Sequence, residues 1–298
     1  MLEKNKAILL RIVHLFKTSF TEFFRDKSFI HGASLAYFTL VALVPILYIA
    51  YATIGRFLGQ EQLISIIAEA AKTHVGIEDI DWLVLLLEKL NVGGRSLPLE
   101  ITGFVILAFS ASAIFNSMRA SLNTFFGIRT WEIKLSFWDQ IKARLSSFLI
   151  LTLVGFVFIL VYIIETAFVA FGSELIGRDN SNMLHVLSTH VGSVFSNAVI
   201  FFFVFKFLHD GFVHWKIAIR GAIFTGILLY IGQWFIKFYL TNYFFAAGGG
   251  VAGTIFILML WVFYSSQIIF LGAKVTKVYA DMLNMPIHPR KKIKIKHG

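Results

Sequence analysis

Cysteine is absent from the 298 residues, which excludes disulfides, thiolate metal sites and cysteine nucleophiles and leaves the redox compartment open. Charge is scarce as well. Only 15% of the residues are Asp, Glu, Lys or Arg, against 57% hydrophobic, with a mean hydropathy of +0.76 and 33 phenylalanines. A soluble domain is ~45–50% apolar and ~25% charged. So few charges cannot coat a water-facing surface, which excludes an ordinary soluble enzyme, and so much hydrophobicity excludes intrinsic disorder. Also missing are a phosphate-cradling glycine loop with its lysine, a Gly-x-Ser-x-Gly elbow and a His-Glu-x-x-His helix. The solvent that fits this composition is lipid.

What is present is a set of long apolar runs. A membrane-crossing helix needs about 20 mostly apolar residues, and six stretches meet that length: 30–54, 98–118, 145–169, 189–208, 217–239 and 251–275. A membrane β-barrel would need alternating polar and apolar positions, whereas Ile150–Ile164 is apolar all round. The sequence therefore predicts an all-α polytopic membrane protein with a bundle of six transmembrane helices. Three regions follow: a cytoplasmic amphipathic helix over 1–29, one six-helix transmembrane domain over 30–278, and a basic cytoplasmic tail over 279–298.

Lys and Arg set the orientation. Twenty-one of the 27 fall on the side that holds the two termini and the segments after spans 2 and 4; six fall on the other. Excess Lys and Arg mark cytoplasmic loops, so both termini are expected inside. The net charge of +10 is then a matter of topology next to anionic lipid, and nucleic acid is not expected as a partner.

Two segments are neither span nor simple loop. In the first, Leu9, Ile12, Val13, Phe16, Phe20, Phe23 and Phe24 recur at helical spacing while Arg11, His14, Thr18, Glu22 and Arg25 fall elsewhere. That pattern is an amphipathic helix suited to the inner interface, and its interrupting charges are unlike a secretory signal. The second is the outer segment Gly55–Leu97. It holds two short apolar pieces, one around Leu63–Ala70 and one over Ile80–Leu90 with Trp82, each too short to span. Two short helices resting on the outer leaflet or plugging the top of the bundle are expected there.

Polar side chains inside the spans are the candidates for a path or for helix contacts: Asn116, Glu165, Asn197, Gln233, Lys237 and Gln267. Ionisable groups in the bilayer usually face the bundle interior or water. Glu165 and Lys237 both lie roughly 30 Å up from the inner ends of their spans at 1.5 Å per residue. At that shared level they either pair or snorkel separately to the headgroups. The four amides serve either as interhelical hydrogen bonds, each worth ~1 kcal/mol, or as a substrate path. Ala108, Ser112 and Asn116 share one helical face, as do Ala218, Ala222 and Gly226; such small-residue stripes let helices approach closely. Pro45 removes a backbone hydrogen bond in mid-span 1 and is the candidate kink.

Catalytic signals are poor. His209-Asp210 with His214 is the only local His/Asp cluster, and His185 with His190, five apart, is an equally weak signal; a metal site would want three or four regularly spaced ligands. No catalytic residue, metal or cofactor is expected, and the chain is read as non-enzymatic. Gly248-Gly249-Gly250 with Gly253 reads as a hairpin between spans 5 and 6.

The last third carries a resemblance. Arg220-Gly221-Ala222, Trp234, Tyr239, Gly253, the run Leu260-Trp261-Val262-Phe263-Tyr264-Ser265-Ser266-Gln267-Ile268 and Leu271-Gly272-Ala273 resemble the closing segment of the YihY/BrkB family. Gly32-Ala33-Ser34-Leu35-Ala36-Tyr37-Phe38-Thr39 ending in Pro45 resembles its first span, and Leu122-Asn123 also fits. The likeness covers most of the chain in order. It implies a six-span bacterial inner-membrane protein; members have been labelled for virulence and serum resistance, and once as ribonuclease BN. The residues give the nuclease label no support, since no carboxylate cluster for metal falls in the inner segments. His209-Asp210 stands where such proteins often carry Leu-Pro. Lys274 stands where an acid is common, so the role of that acid does not transfer.

The expected function is envelope maintenance or transport of a lipid or other amphiphile. The alternative is a membrane scaffold that docks partners through the basic tail and outer loop. Expected partners are membrane lipids, with a further copy of the chain or an envelope protein.

Overall fold

Long uncharged runs can satisfy their backbone in lipid only by bonding within themselves, and helices are the result. The computed structural model describes residues 2–70, 97–128, 181–239 and 250–289. Among these lie seven helices: α1 (Leu2–Arg25), α2 (Ser28–Leu58), α3 (Gln60–Ala70), α4 (Leu97–Phe125), α5 (Ser181–Phe207), α6 (Trp215–Tyr239) and α7 (Gly250–Met282). Two strands of two residues, β1 (Gly211–Phe212) and β2 (His288–Pro289), pair antiparallel. The regular structure among the described residues is otherwise all helical.

The predicted amphipathic segment is α1, and the predicted spans 30–54, 98–118, 217–239 and 251–275 each fall within one continuous helix, while 189–208 runs one residue past the end of α5. Helix α2 runs through Pro45 without a break. Helix α3 coincides with the first of the two short helices expected between the first two spans. The second, over Ile80–Leu90, and the span 145–169 lie outside the described residues. By length and composition, three stretches can cross a bilayer among the described residues: His190–Phe207, Trp215–Ile236 and Ile255–Met282; Ser28–Leu43 is a shorter apolar helix. Their outward faces agree. Ile223, Ile227, Ile231, Trp234, Phe235 and Phe238 line one side of α6 and are all exposed, and Phe109 of α4 is 76% exposed. Apolar faces of this extent belong against lipid.

The chain divides into two compact units: Met1–Ser28, Met118–Tyr230 and Ile268–Gly298 form the first, Phe29–Ser117 and Ile231–Gln267 the second. In the first, aromatic rings fill the centre. Phe125 of α4 stacks on Phe270 of α7 at 4.7 Å and touches Phe23 of α1 at 6.1 Å. Phe126 meets Phe205 of α5 edge-on at 5.7 Å. Helices α6 and α7 approach through a reciprocal pair of contacts. Thr225 Oγ1 donates to Gly221 O at 2.7 Å and packs against Gly272; Thr276 Oγ1 donates to Gly272 O at 2.6 Å and packs against Gly221. A methyl group on either glycine would overlap the opposing threonine. The small stripe Ala218, Ala222, Gly226 behaves as predicted: both alanines are buried, and a Cβ at Gly226 would lie 2.9 Å from the Ala198 nitrogen of α5.

Helix ends in this unit are set by left-handed residues. Gly127 (φ 71°) closes α4, with Ile128 N donating to Asn123 O at 2.7 Å and Gly127 N to Thr124 O at 3.0 Å. Asn284 (φ 54°) closes α7 in the same way, Met285 N reaching Ala280 O at 2.9 Å. Both are Schellman-type stops, for which Gly and Asn are the suited residues.

In the second unit α2, α4 and α7 pack together. Ser34 and Ser117 hydroxyls are 3.1 Å apart, Phe29 stacks on Phe263 at 6.0 Å, and Gly32 sits directly against Ser266 and Gln267.

Candidate functional site

Three groups of polar residues have defined geometry, two in the first unit and one in the second. The first is an ionic lock. Lys274 of α7 is 1% exposed, a cost that only paired, hydrogen-bonded acids can offset. Its Nζ donates to Asp26 Oδ2 at 2.5 Å and to Glu22 Oε2 at 3.5 Å, and lies 5.7 Å from the centre of the Phe125 ring. One turn on, Lys277 bridges Glu22 at 3.3 Å and Asp281 at 3.0 Å. Glu22 and Asp26 stand one turn apart, so a single helical face offers both acids to the lysines of α7. Burial alone would raise the Glu22 pKa; the Lys277 and Lys274 charges and hydrogen bonds more than offset it and hold the carboxyl below its ordinary value. Lys27, in the left-handed region at φ 56°, lies in the turn between α1 and α2.

The second group is the loop between α5 and α6. Arg119 of α4 forms a two-pronged ion pair with Asp210, and Asn123 one turn later donates to Asp210 Oδ2 at 2.7 Å while its own oxygen accepts from Asp210 N at 2.9 Å. Burial would raise the Asp210 pKa, but the Arg119 and Asn123 hydrogen bonds and the Arg119 charge hold it below its ordinary value. His209 is buried and engages the backbone at both ring nitrogens: Nε2 with Phe205 O at 2.7 Å, and Nδ1 accepting from Gly211 N at 2.9 Å. That pattern is a neutral imidazole with its proton on Nε2. The carbonyl of His214 accepts from Ile217 N at 2.9 Å and Ala218 N at 3.0 Å, starting α6. Lys206 Nζ donates to Val213 O at 2.5 Å, and β2 pairs onto Gly211 and Phe212. The one His/Asp group singled out in the inner segments thus holds a loop in shape. Among the described residues no three His, Asp or Glu side chains are placed to share a metal ion.

The third group is the junction of α2, α4 and α7 in the second unit. Gln267 Nε2 lies 3.5 Å from Ser266 Oγ, which itself donates to Phe263 O at 2.6 Å. Ser110 is buried, and its Oγ, like the Trp261 indole nitrogen, has no hydrogen-bond partner among the described residues. Of the residues predicted to line a path, Gln267 is at this junction. Asn116 is exposed on α4, while Asn197 on α5 and Gln233 on α6 are half-buried. Glu165 and the side chains of Lys237, Pro45 and His185 lie outside what the structure describes. His190 is hydrogen-bonded to Tyr230 in the first unit, with ring centres 5.8 Å apart.

The profile of the virulence factor BrkB family matches residues 19–293. This chain belongs to that family. As a BrkB-family protein it is also similar to UPF0761 membrane proteins. One from Stenotrophomonas maltophilia is 24% identical over 284 residues, covering 90% of this chain and 61% of the relative. Another, from Pseudoalteromonas translucida, is 24% identical over 261 residues, covering 84% of this chain and 81% of the relative. This BrkB-family chain therefore spans about three-fifths of the length of its Stenotrophomonas relatives. No solved structure matches it. The protein is a BrkB-family membrane protein with several helices fit to cross a bilayer.

The ionic lock was not read from the sequence. A signal for it was there: a lysine inside an apolar helix demands an acid, and Glu22 and Asp26 form an i, i+4 acidic pair at the end of an amphipathic segment whose other Lys, Arg, Asp and Glu residues from 4 to 27 are all basic.

Proposed function

We propose that this protein is a six-span inner-membrane protein, both termini cytoplasmic, that moves a lipid or other amphiphile in the course of envelope maintenance and catalyses no reaction. The observation that carries the reading is the polar junction of the second unit. Ser266 and Gln267 sit where α7 meets Gly32 of α2, and two further donors of the same unit, the buried Ser110 Oγ and the Trp261 indole nitrogen, lack partners among the described residues. A buried polar group without a partner costs about 1–3 kcal/mol. Such groups are suited to receive the headgroup or polar end of an amphiphile as it passes between helices. Membrane lipids are the proposed partners, and nucleic acid is not among them.

Purified full-length protein reconstituted into liposomes with fluorescent phospholipids tests this. Dithionite should reach inner-leaflet label at least about tenfold faster than in protein-free vesicles, roughly a 1.4 kcal/mol change in barrier. The variants Gln267→Leu and Ser110→Ala should slow it without loss of folded protein by size exclusion. Wild-type rates equal to empty vesicles, for phospholipids and for single-chain amphiphiles alike, would sink the proposal.

A scaffold role has one observation in its favour: pairing of β2 with β1 fixes the root of the basic segment Arg290–Gly298 on the loop between α5 and α6. A crosslinked partner lost on deleting that segment would support it. The ribonuclease label fares worse, since His209 is bound at both ring nitrogens; RNA cleavage indifferent to His209→Ala would mark a contaminant.

A further inference from the structure

Helix α1 has three distinct sides. One turns into the first unit, with Ser19 and Phe23 buried and Glu22 half-buried. A second is a bare apolar stripe: Leu9, Val13, Phe16, Phe20 and Phe24, at i, i+3 and i+4 spacing, are each between 39% and 61% exposed. The third arc carries Arg11, His14, Lys17 and Arg25, all exposed.

By composition the segment is mixed in charge, but the fold sorts it. Between residues 6 and 27 the acids are Glu22 and Asp26, and both are held by Lys274 of α7, with Glu22 also on Lys277. The charge left for the surroundings by the described side chains of this stretch is positive: Lys6, Arg11, Lys17 and Lys27, with Arg25 standing 3.8 Å from Glu22 and 3.9 Å from Asp26. The apolar stripe also continues onto a span. Phe16 meets Phe224 of α6 at 5.8 Å, beside the exposed Ile223 and Ile227. Whatever covers the outside of α6 therefore reaches the stripe of α1.

We infer that α1 is an anionic-lipid binding surface. Its apolar stripe sits among acyl chains next to α6, its basic arc meets phosphate headgroups, and the Lys274 lock holds the helix at that level. An apolar side beside a Lys/Arg arc matches an anionic leaflet in both hydrophobicity and charge. Nothing in the inference depends on transport.

The absence of cysteine makes the test direct. Full-length protein carrying Val13→Cys or His14→Cys, labelled with a polarity-sensitive fluorophore, is placed in nanodiscs of phosphatidylcholine with or without phosphatidylglycerol, each with and without spin-labelled lipid. The expected result is blue-shifted, spin-quenched emission at position 13 and water-like emission at 14, with the docked fraction higher in the anionic discs. In the Val13→Cys background, Arg11→Gln with Lys17→Gln should lower the docked-to-undocked ratio by about fivefold for each charge removed, while Arg11→Lys should leave it unchanged and so exclude misfolding. Equal signals in neutral and anionic discs would overturn the inference. So would blue-shifted emission untouched by spin-labelled lipid, which would place another protein surface or a second copy of the chain on the stripe.

Discussion

Lys274 of α7 places its ammonium 2.5 Å from the Asp26 carboxylate, joining residues 248 positions apart in the chain. The pair, with Glu22, ties the turn after α1 to the last long helix. A lysine this deeply buried leaves its partners exposed to a large penalty if it is removed, because their charges then have no counterpart.

Lys274→Ala is therefore expected to destabilise the protein by up to about 3 kcal/mol, short of the fully buried case because Glu22 and Asp26 keep some solvent. Lys274→Met combined with Asp26→Asn should recover much of the loss, since it removes the uncompensated charge. Thermal unfolding in detergent measures both. Equal loss in the single and the double variant would mean that packing, not charge, is what Lys274 supplies.

Acid should weaken the same region. The Glu22 and Asp210 carboxyls are held below their ordinary values, so each binds protons less readily folded than unfolded. Their contribution is complete above the ordinary carboxylate range and is lost as the pH falls through the folded values. The thermal midpoint should be nearly flat from about pH 7 to 5 and fall below about pH 4. Glu22→Gln should flatten part of that fall. A midpoint that rises on acidification would contradict the assignment.

The threonine–glycine exchange between α6 and α7 gives a test of packing. Gly221→Ala should cost about 1–3 kcal/mol by overlap with Thr276, and Thr276→Ala should relieve it. Thr225→Ala, which lies across from the other glycine, should give Gly221→Ala no such relief. A double-variant cycle on unfolding midpoints separates the two outcomes.

At the loop between α5 and α6, the order of effects is diagnostic. Arg119→Ala strips Asp210 of its charged partner and should be worse than Asp210→Asn, which keeps a hydrogen-bonding group of similar shape; the gap is expected to be about 1–2 kcal/mol. His209→Ala should cost about 1–3 kcal/mol through the backbone groups it leaves at Phe205 and Gly211. Protease nicking of this loop, compared across the three variants, reads the local loosening.

Several features were legible before any coordinates. The apolar runs of α2, α4, α5, α6 and α7 and the amphipathic period of α1 are properties of neighbouring residues, and the structure places a helix on each. The stripe Ala218, Ala222, Gly226 was readable for the same reason: small residues one turn apart define a face without reference to a partner. The polar candidates have different surroundings. Gln267 joins a junction with Ser266 and the contact face of Gly32, whereas Asn116 is exposed on its helix. Equal spacing along a span cannot say which side a helix turns inward.

The character of the chain as helical and lipid-dissolved was settled by the sequence alone, because hydrophobic transfer and backbone hydrogen bonding act within single segments of about 20 residues. Only the tertiary structure decided that Lys274 belongs to Glu22 and Asp26, that Thr225 faces Gly272, and that His209 and Asp210 are spent on a loop. Those pairings join residues far apart in the chain, and charges and hydroxyls act over a few ångströms. Which of them meet is known only once the helices are packed.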